Sequence, residues 1–186
     1  PTPMTDLELM ARTPRISLPS AFIEGTTYRH MRATETDGAF RYQVSGGDIT
    51  YHYSRPIYTG TYEISFRDAK DREWVRMTPT SKIIRNSYAW NGNSPKKGIR
   101  IFGKDWWFGT PDFVATRPGS LSHDTDFQFG RCEHFPFSLE QVNLHYFQIL
   151  SARKFALAGT YYGALKDFSP AAWNRQRDEG LHSVLL

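Results

Sequence analysis

Tyr58-Thr59-Gly60-Thr61-Tyr62-Glu63-Ile64-Ser65-Phe66 is the stretch on which the fold turns. With a two-residue period, Tyr58, Tyr62, Ile64 and Phe66 fall on one face and Thr59, Thr61, Glu63 and Ser65 on the other. That alternation predicts a strand with one buried side. Upstream, the stretches 40–44 and 49–53 flank Ser45-Gly46-Gly47-Asp48. A glycine pair suits the positive φ of a tight turn, so these two stretches predict a hairpin. Downstream, 68–72 reads as a polar turn, and 73–77 and 82–85 as further short strands. Residues 27–85 thus predict an antiparallel meander of four to six strands with one buried face.

The period changes in the last third. Ser120 reads as the N-cap of a helix over 121–129, and Ser138 with Gln141 makes a capping-box pattern for the next one. Along that second helix Leu139, Val142, Tyr146 and Ile149 recur at three- or four-residue spacing, a stripe that faces a core. Ala156, Gly159 and Gly163 give a small-residue face for close helix packing. Ser169-Pro170 reads as an N-cap with proline behind it, starting a final helix to about 179 that Gly180 ends. Between strands and helices, 86–119 is rich in loops and rings: Trp90, Phe102, Trp106, Trp107, Phe108 and Phe113. Such rings pack over a sheet edge or, alternatively, form the wall of a ligand pocket.

Pro1, Pro3, Pro14 and Pro19 make 1–26 an extended arm, with one helical turn over 6–12, of the kind that lies across a neighbouring subunit. The class is α+β: an N-terminal antiparallel β-meander, then a helical C-terminal part, with aromatic-rich loops between. Behind the arm, 27–186 reads as one domain, β-rich over 27–85, loop-rich over 86–119 and helical over 120–180.

Composition narrows the function classes. Of 186 residues 39% are hydrophobic and 23% charged, enough to bury a core. No apolar run reaches the roughly 18–20 residues that cross a bilayer, and the first fifteen residues hold no apolar signal segment, so neither a span nor a secretory leader is expected. A single cysteine, Cys132, leaves no internal disulfide framework and no multi-cysteine zinc site. The net charge of +4 comes from 23 bases and 19 acids, scattered without a basic run, which argues against nucleic acid as the partner. The sequence holds no nucleophile elbow, phosphate loop or dinucleotide fingerprint.

The sharpest chemical candidate is His123-Asp124 near the start of a predicted helix. Helical neighbours diverge by about 100°, so the two cannot bond each other but can serve one pocket, the imidazole as general base and the carboxylate as ligand or anchor. Asp126, three residues after His123, shares its face more nearly. His123, His134 and His145 are eleven apart and lack the short spacing of a zinc pair. Asp124 and Asp126, with loop carbonyls near Gly92 or Gly109, could instead build a calcium site from oxygen ligands. Otherwise no cofactor is expected.

Asn91-Gly92-Asn93-Ser94-Pro95-Lys96, then His123-Asp124, then Phe137-Ser138-Leu139-Glu140-Gln141-Val142-Asn143 resembles the small phage and prophage family known as domain of unknown function 1353. That family's loop reads roughly Asp-Gly-Ala-Ser-Ile-Pro-Arg, its next helix His-Asp-x-x-Tyr and the following one Ala-Asp-x-x-Phe. The matching positions are Asn91, Gly92, Ser94, Pro95 and Lys96, then His123, Asp124 and Phe127, then Val142, Asn143 and Phe147. The resemblance covers about 88–168, including a Tyr161-Tyr162 stretch similar to the family's C-terminal helix. The arrangement is similar to that of the calcium-dependent phospholipases of venoms and parvovirus capsids. There a histidine activates water, the adjacent aspartate binds calcium and a second aspartate orients the histidine.

The resemblance implies catalytic roles for His123, Asp124 and Asn143 and loop contacts from Asn91, Asn93 and Ser94. Three positions depart from the pattern: Asn91 and Asn143 replace acids, and Phe127 replaces a tyrosine. An amide cannot hold imidazolium charge as a carboxylate does, which weakens the implied base. The first expectation is therefore a phage-encoded, virion-associated structural or accessory protein, a tail or capsid component. Its partners would be other virion proteins or copies of itself, in the virion and in the host cytoplasm during assembly. The alternative is a hydrolase using the His-Asp pair, possible with calcium assistance, on a lipid or cell-envelope substrate.

Overall fold

The computed structural model of the chain describes residues 2–19, 22–31, 42–91, 97–101, 104–108, 114–175 and 180–186. The elements in chain order are α1 (Asp6–Arg12), β1 (Ile16–Ser17), β2 (Tyr28–His30), β3 (Tyr42–Val44), β4 (Ile49–Tyr53), β5 (Ile64–Arg67), β6 (Glu73–Thr78), β7 (Ser81–Ile84), β8 (Ala89–Trp90), β9 (Lys97–Ile101) and β10 (Lys104–Phe108). A 3₁₀ turn (Val114–Thr116) then leads into α2 (Arg117–Phe129), α3 (Leu139–Ala152), α4 (Ala158–Arg175) and β11 (His182–Leu185). Antiparallel strands fill the N-terminal part and helices the C-terminal part, so the class is α+β.

β5, β6 and β7 form a true meander, with Phe66 opposite Val75 and Val75 opposite Ile84. Around it the main sheet runs β1-β4-β7-β6-β5-β11, so its outer strands come from distant parts of the chain. Ile64, Phe66, Val75, Met77 and Ile84 enter one core with Leu121 and Phe129 of α2 and Val142 and Ile149 of α3. Each such side chain, fully buried, stabilises the fold by about 1.5–3 kcal/mol. Tyr51 adds a direct tie from sheet to helix, its hydroxyl donating to the Pro118 carbonyl at 2.6 Å. Gly119 allows close approach of α2 and α3, since a Cβ there would collide with Leu150.

Several expectations change. The predicted hairpin at Ser45–Asp48 does not form: β3 pairs with β2 and β8 in a second, three-stranded sheet, and β4 pairs with β7 and β1. The turn is used elsewhere, because Ser45 and Gly46 donate to the Thr27 carbonyl while Val44 exchanges hydrogen bonds with Ser87 and Tyr88. The strand predicted across 58–66 starts only at Ile64. Gly60, at φ 100°, folds the preceding residues back so that Tyr58 and Tyr62 stack at 4.5 Å, and the Tyr58 hydroxyl bonds the Tyr62 and Met77 carbonyls.

In the helices, α2 begins at Arg117 rather than after Ser120, with Pro118 in its first turn. Ser169-Pro170 does not start a helix but lies inside α4, where Ser169 bonds back to the Leu165 carbonyl. Gly159 and Gly163 face open space instead of a packed neighbour. The capping box of Ser138 and Gln141 stands as read, and Val142, Tyr146 and Ile149 are buried. The segment expected as an arm over another subunit lies on its own chain. β1 pairs with β4, His145 Nε2 donates to the Pro14 carbonyl at 3.1 Å, and Ile16 N–H donates to Gln148 Oε1 at 3.0 Å. Within that segment α1 carries its own capping box, Thr5 with Glu8.

Candidate active site

α2 carries two chemistries on two sides. With 3.6 residues per turn, Ser122, Thr125, Asp126 and Phe129 form one face and Asp124, Phe127 and Gln128 the other, with His123 at its margin. The first face meets the sheet. Lys82 Nζ of β7, wholly buried, reaches the Ser122 carbonyl at 3.0 Å, Ser122 Oγ at 2.7 Å, Thr125 Oγ1 at 3.2 Å and Asp126 Oδ1 at 2.8 Å. Burial lowers the Lys82 pKa and raises that of Asp126, and their attraction opposes both shifts. Nearby Asp126 Oδ2, Tyr53 Oη and His145 Nδ1 are buried without a hydrogen-bond partner among the described residues.

His123 sits where α2, α3 and α4 meet, 5% exposed, its ring stacked on Phe127 at 5.2 Å and edge-on to Tyr146 at 5.4 Å. A hydrogen-bond chain fixes its tautomer. Ser169 Oγ donates to the Leu165 carbonyl at 2.5 Å and so accepts from Asn143 Nδ2 at 2.8 Å. The Asn143 amide is thereby oriented with Oδ1 toward His123 Nε2, 3.0 Å away, and an oxygen there requires Nε2 to carry the proton. Nδ1 is left with its lone pair, bonded to no described residue and absent from the fully enclosed polar atoms without a partner. Burial drives the His123 pKa down to about 4; the Asn143 bond works against that shift and the Lys82 ammonium reinforces it. The ring is neutral at physiological pH.

The histidine opens onto a cleft of about 490 Å³. Asn91 and Asp124 line it with His123, so the cleft gathers three of the residues singled out in the sequence; Asn143 stands behind the ring. Asp126 is a correction. At 1% exposure it is committed to Lys82 on the sheet side of α2, while Asp124 lines the cleft. Two carboxylates on opposite sides of a helix do not converge on one ion, so these residues do not fit the expected calcium site. Among the described residues no three His, Cys, Asp or Glu side chains are grouped to hold a metal. Asn93, Ser94, Gly92 and Gly109 lie outside the described residues, as do Phe102, Phe113 and the side chains of Trp106, Trp107 and Phe108.

Sequence reading missed Lys82, Ser169, Gln128 and Trp74. A lysine in a short strand reads as solvent-facing, and a serine before proline reads as a cap, so neither carried a signal for its actual role. Gln128 could have been found, since it lies four residues after Asp124 on the same helical face. Compared with known proteins, the chain matches no family model, no curated protein and no solved structure.

Proposed function

We propose that the protein is a hydrolase in which His123 Nδ1 activates water for attack on an acyl carbonyl held in the cleft. The observation that carries this reading is the chain Leu165–Ser169–Asn143–His123, which leaves an unprotonated imidazole nitrogen on a residue that lines the cleft. Nδ1 takes the proton as water attacks, and the imidazolium returns it to the leaving group. Asn143 orients the ring without neutralising the imidazolium, so the base is weaker than one backed by a carboxylate.

The test is turnover of a panel of acyl esters and amides by the wild type and His123→Gln. General-base removal should lower turnover by about 10²–10⁴-fold, with the melting temperature within a few degrees of wild type. Equal turnover by both proteins would sink the reading.

A second reading, a virion-associated phage component, rests on the family resemblance and on one observation. The short helix α1 and its approach present Met4, Leu7 and Met10 to solvent at three-residue spacing, with Leu7 79% exposed. Such a stripe is an anchor for a partner surface. Mass spectrometry of purified particles tests it: absence of the chain from particles rejects this reading and leaves the hydrolase untouched.

A further inference from the structure

The cleft also specifies what kind of molecule it takes, and this step rests on the hydrolase reading. Trp74 lines it and is immobilised: its Nε1–H donates to Asp68 Oδ2 at 2.7 Å, the Arg72 guanidinium lies 3.9 Å from its ring centroid, and its plane meets Tyr88 edge-on at 6.1 Å. An indole bonded at its nitrogen and capped by a guanidinium cannot swing away, so the surface it leaves to the cleft is a fixed apolar platform. Phe127 adds a second apolar wall.

Around this platform the polar atoms with unused capacity are small and uncharged, or acceptors. The Tyr88 hydroxyl donates to Gln128 Oε1 at 2.8 Å, and among the described residues nothing bonds Gln128 Nε2 or Ser87 Oγ. Asp68 Oδ1 is occupied by the N–H groups of Lys70 and Arg72, and among the described residues Oδ2 accepts only from Trp74. His123 Nδ1 completes the set. Ser87 is held at φ 77°, a conformation that costs a non-glycine residue energy and is often found where a side chain is aimed at a ligand. Among the described residues lining the cleft there is no lysine or arginine, and the nearby Arg72 guanidinium is stacked on Trp74.

A ligand that lies flat on a ring by an apolar face and offers neutral hydroxyls at its edge is a sugar. We propose that the cleft binds an acylated sugar chain, one pyranose ring on Trp74 and its hydroxyls on Gln128, Ser87 and Asp68, with the acyl ester at His123. In the reaction water adds to the acyl carbonyl and gives its proton to Nδ1. The bond from the carbonyl carbon to the sugar oxygen breaks, and that oxygen receives the proton. The products are a carboxylic acid and the free sugar hydroxyl.

The experiment titrates xylotetraose and tri-N-acetylchitotriose into the full chain, following tryptophan fluorescence and heat, and measures acetate release from O-acetylated xylotetraose. Vesicles of phosphatidylglycerol serve as the anionic alternative. Expected are saturable sugar binding, at least tenfold weaker in Trp74→Ala, and acetate release that His123→Gln abolishes. Gln128→Glu keeps the acceptor for Tyr88 and removes the free donor, so it should weaken sugar binding even if Trp74→Ala fails to fold. Sugar binding that depends on Trp74 or Gln128 without any acetate release supports the sugar site and rejects the hydrolase. Hydrolysis of a simple aryl acetate that needs His123, with no sugar binding or with binding indifferent to both variants, overturns the sugar site and keeps the hydrolase. Binding to the vesicles in place of the sugars overturns the sugar site as well.

Discussion

The two sides of α2 handle buried polarity in opposite ways. Toward the sheet, Lys82 meets four acceptor atoms from one helical turn and pairs with Asp126 with almost no solvent access. Toward α3 and α4, His123 is held through Nε2 by Asn143, its Nδ1 is bonded to no described residue, and the residue lines the cleft. The first arrangement uses the lysine to fix the turn that carries His123-Asp124, and the polar atoms left over beside it are enclosed. The second leaves capacity on a residue that lines a cleft, where a ligand can reach it.

The largest expected effect breaks the closed side. Lys82→Met or Asp126→Leu alone strands the opposite charge in the core and should cost about 3–5 kcal/mol, whereas the double variant should recover most of that loss. Denaturant midpoints measure it, and singles no worse than the double would erase the distinction between the two sides.

Next comes acid. The folded-state pKa is held at about 4 for His123 and about 3 for His145, below the ordinary histidine value near 6.5. The unfolded chain therefore binds protons that the folded one refuses, and stability falls as pH drops from about 6.5 toward 4. Each ring contributes a loss on the order of 3 kcal/mol over that interval. Melting temperature against pH reads it, and His145→Gln should flatten part of the slope; a melting temperature constant between pH 7 and 4.5 contradicts the buried neutral rings.

A smaller change sharpens the open side. Asn143→Asp sets a carboxylate against Nε2–H, so the lower limb of the pH–rate profile should move up from about 4 and neutral turnover should rise by up to about tenfold. An unmoved limb means His123 is not the titrating base. Least affected is the surface: Lys166→Ala, which removes the exposed pair with Asp6, should change stability by no more than about 0.5 kcal/mol by chemical denaturation.

Legibility followed the range of the interaction. The Ser138–Gln141 box and the Leu139, Val142, Tyr146, Ile149 stripe are complete within a few residues; the box appears in the structure as read, and the stripe is buried except at Leu139, which is partly exposed. The Gly46-Gly47 turn is also local, yet its role failed to read correctly because Thr27 and Tyr88, far away in the chain, take the bonds a hairpin would use. Within the site His123, Asp124 and Asn91 were visible as residue types, but Asp126 was assigned to the wrong partner because Lys82 lies 44 positions away.

By itself the sequence determined the α+β class, the Ser138–Gln141 cap, the apolar stripe behind it and the His-Asp pair, since periodicity and capping depend on neighbours within one or two turns. The tertiary structure alone decided which strands adjoin, which carboxylate is buried against a lysine, and which imidazole nitrogen bonds Asn143. Those outcomes depend on desolvation and on hydrogen-bond partners brought together from distant segments, and no local pattern encodes them.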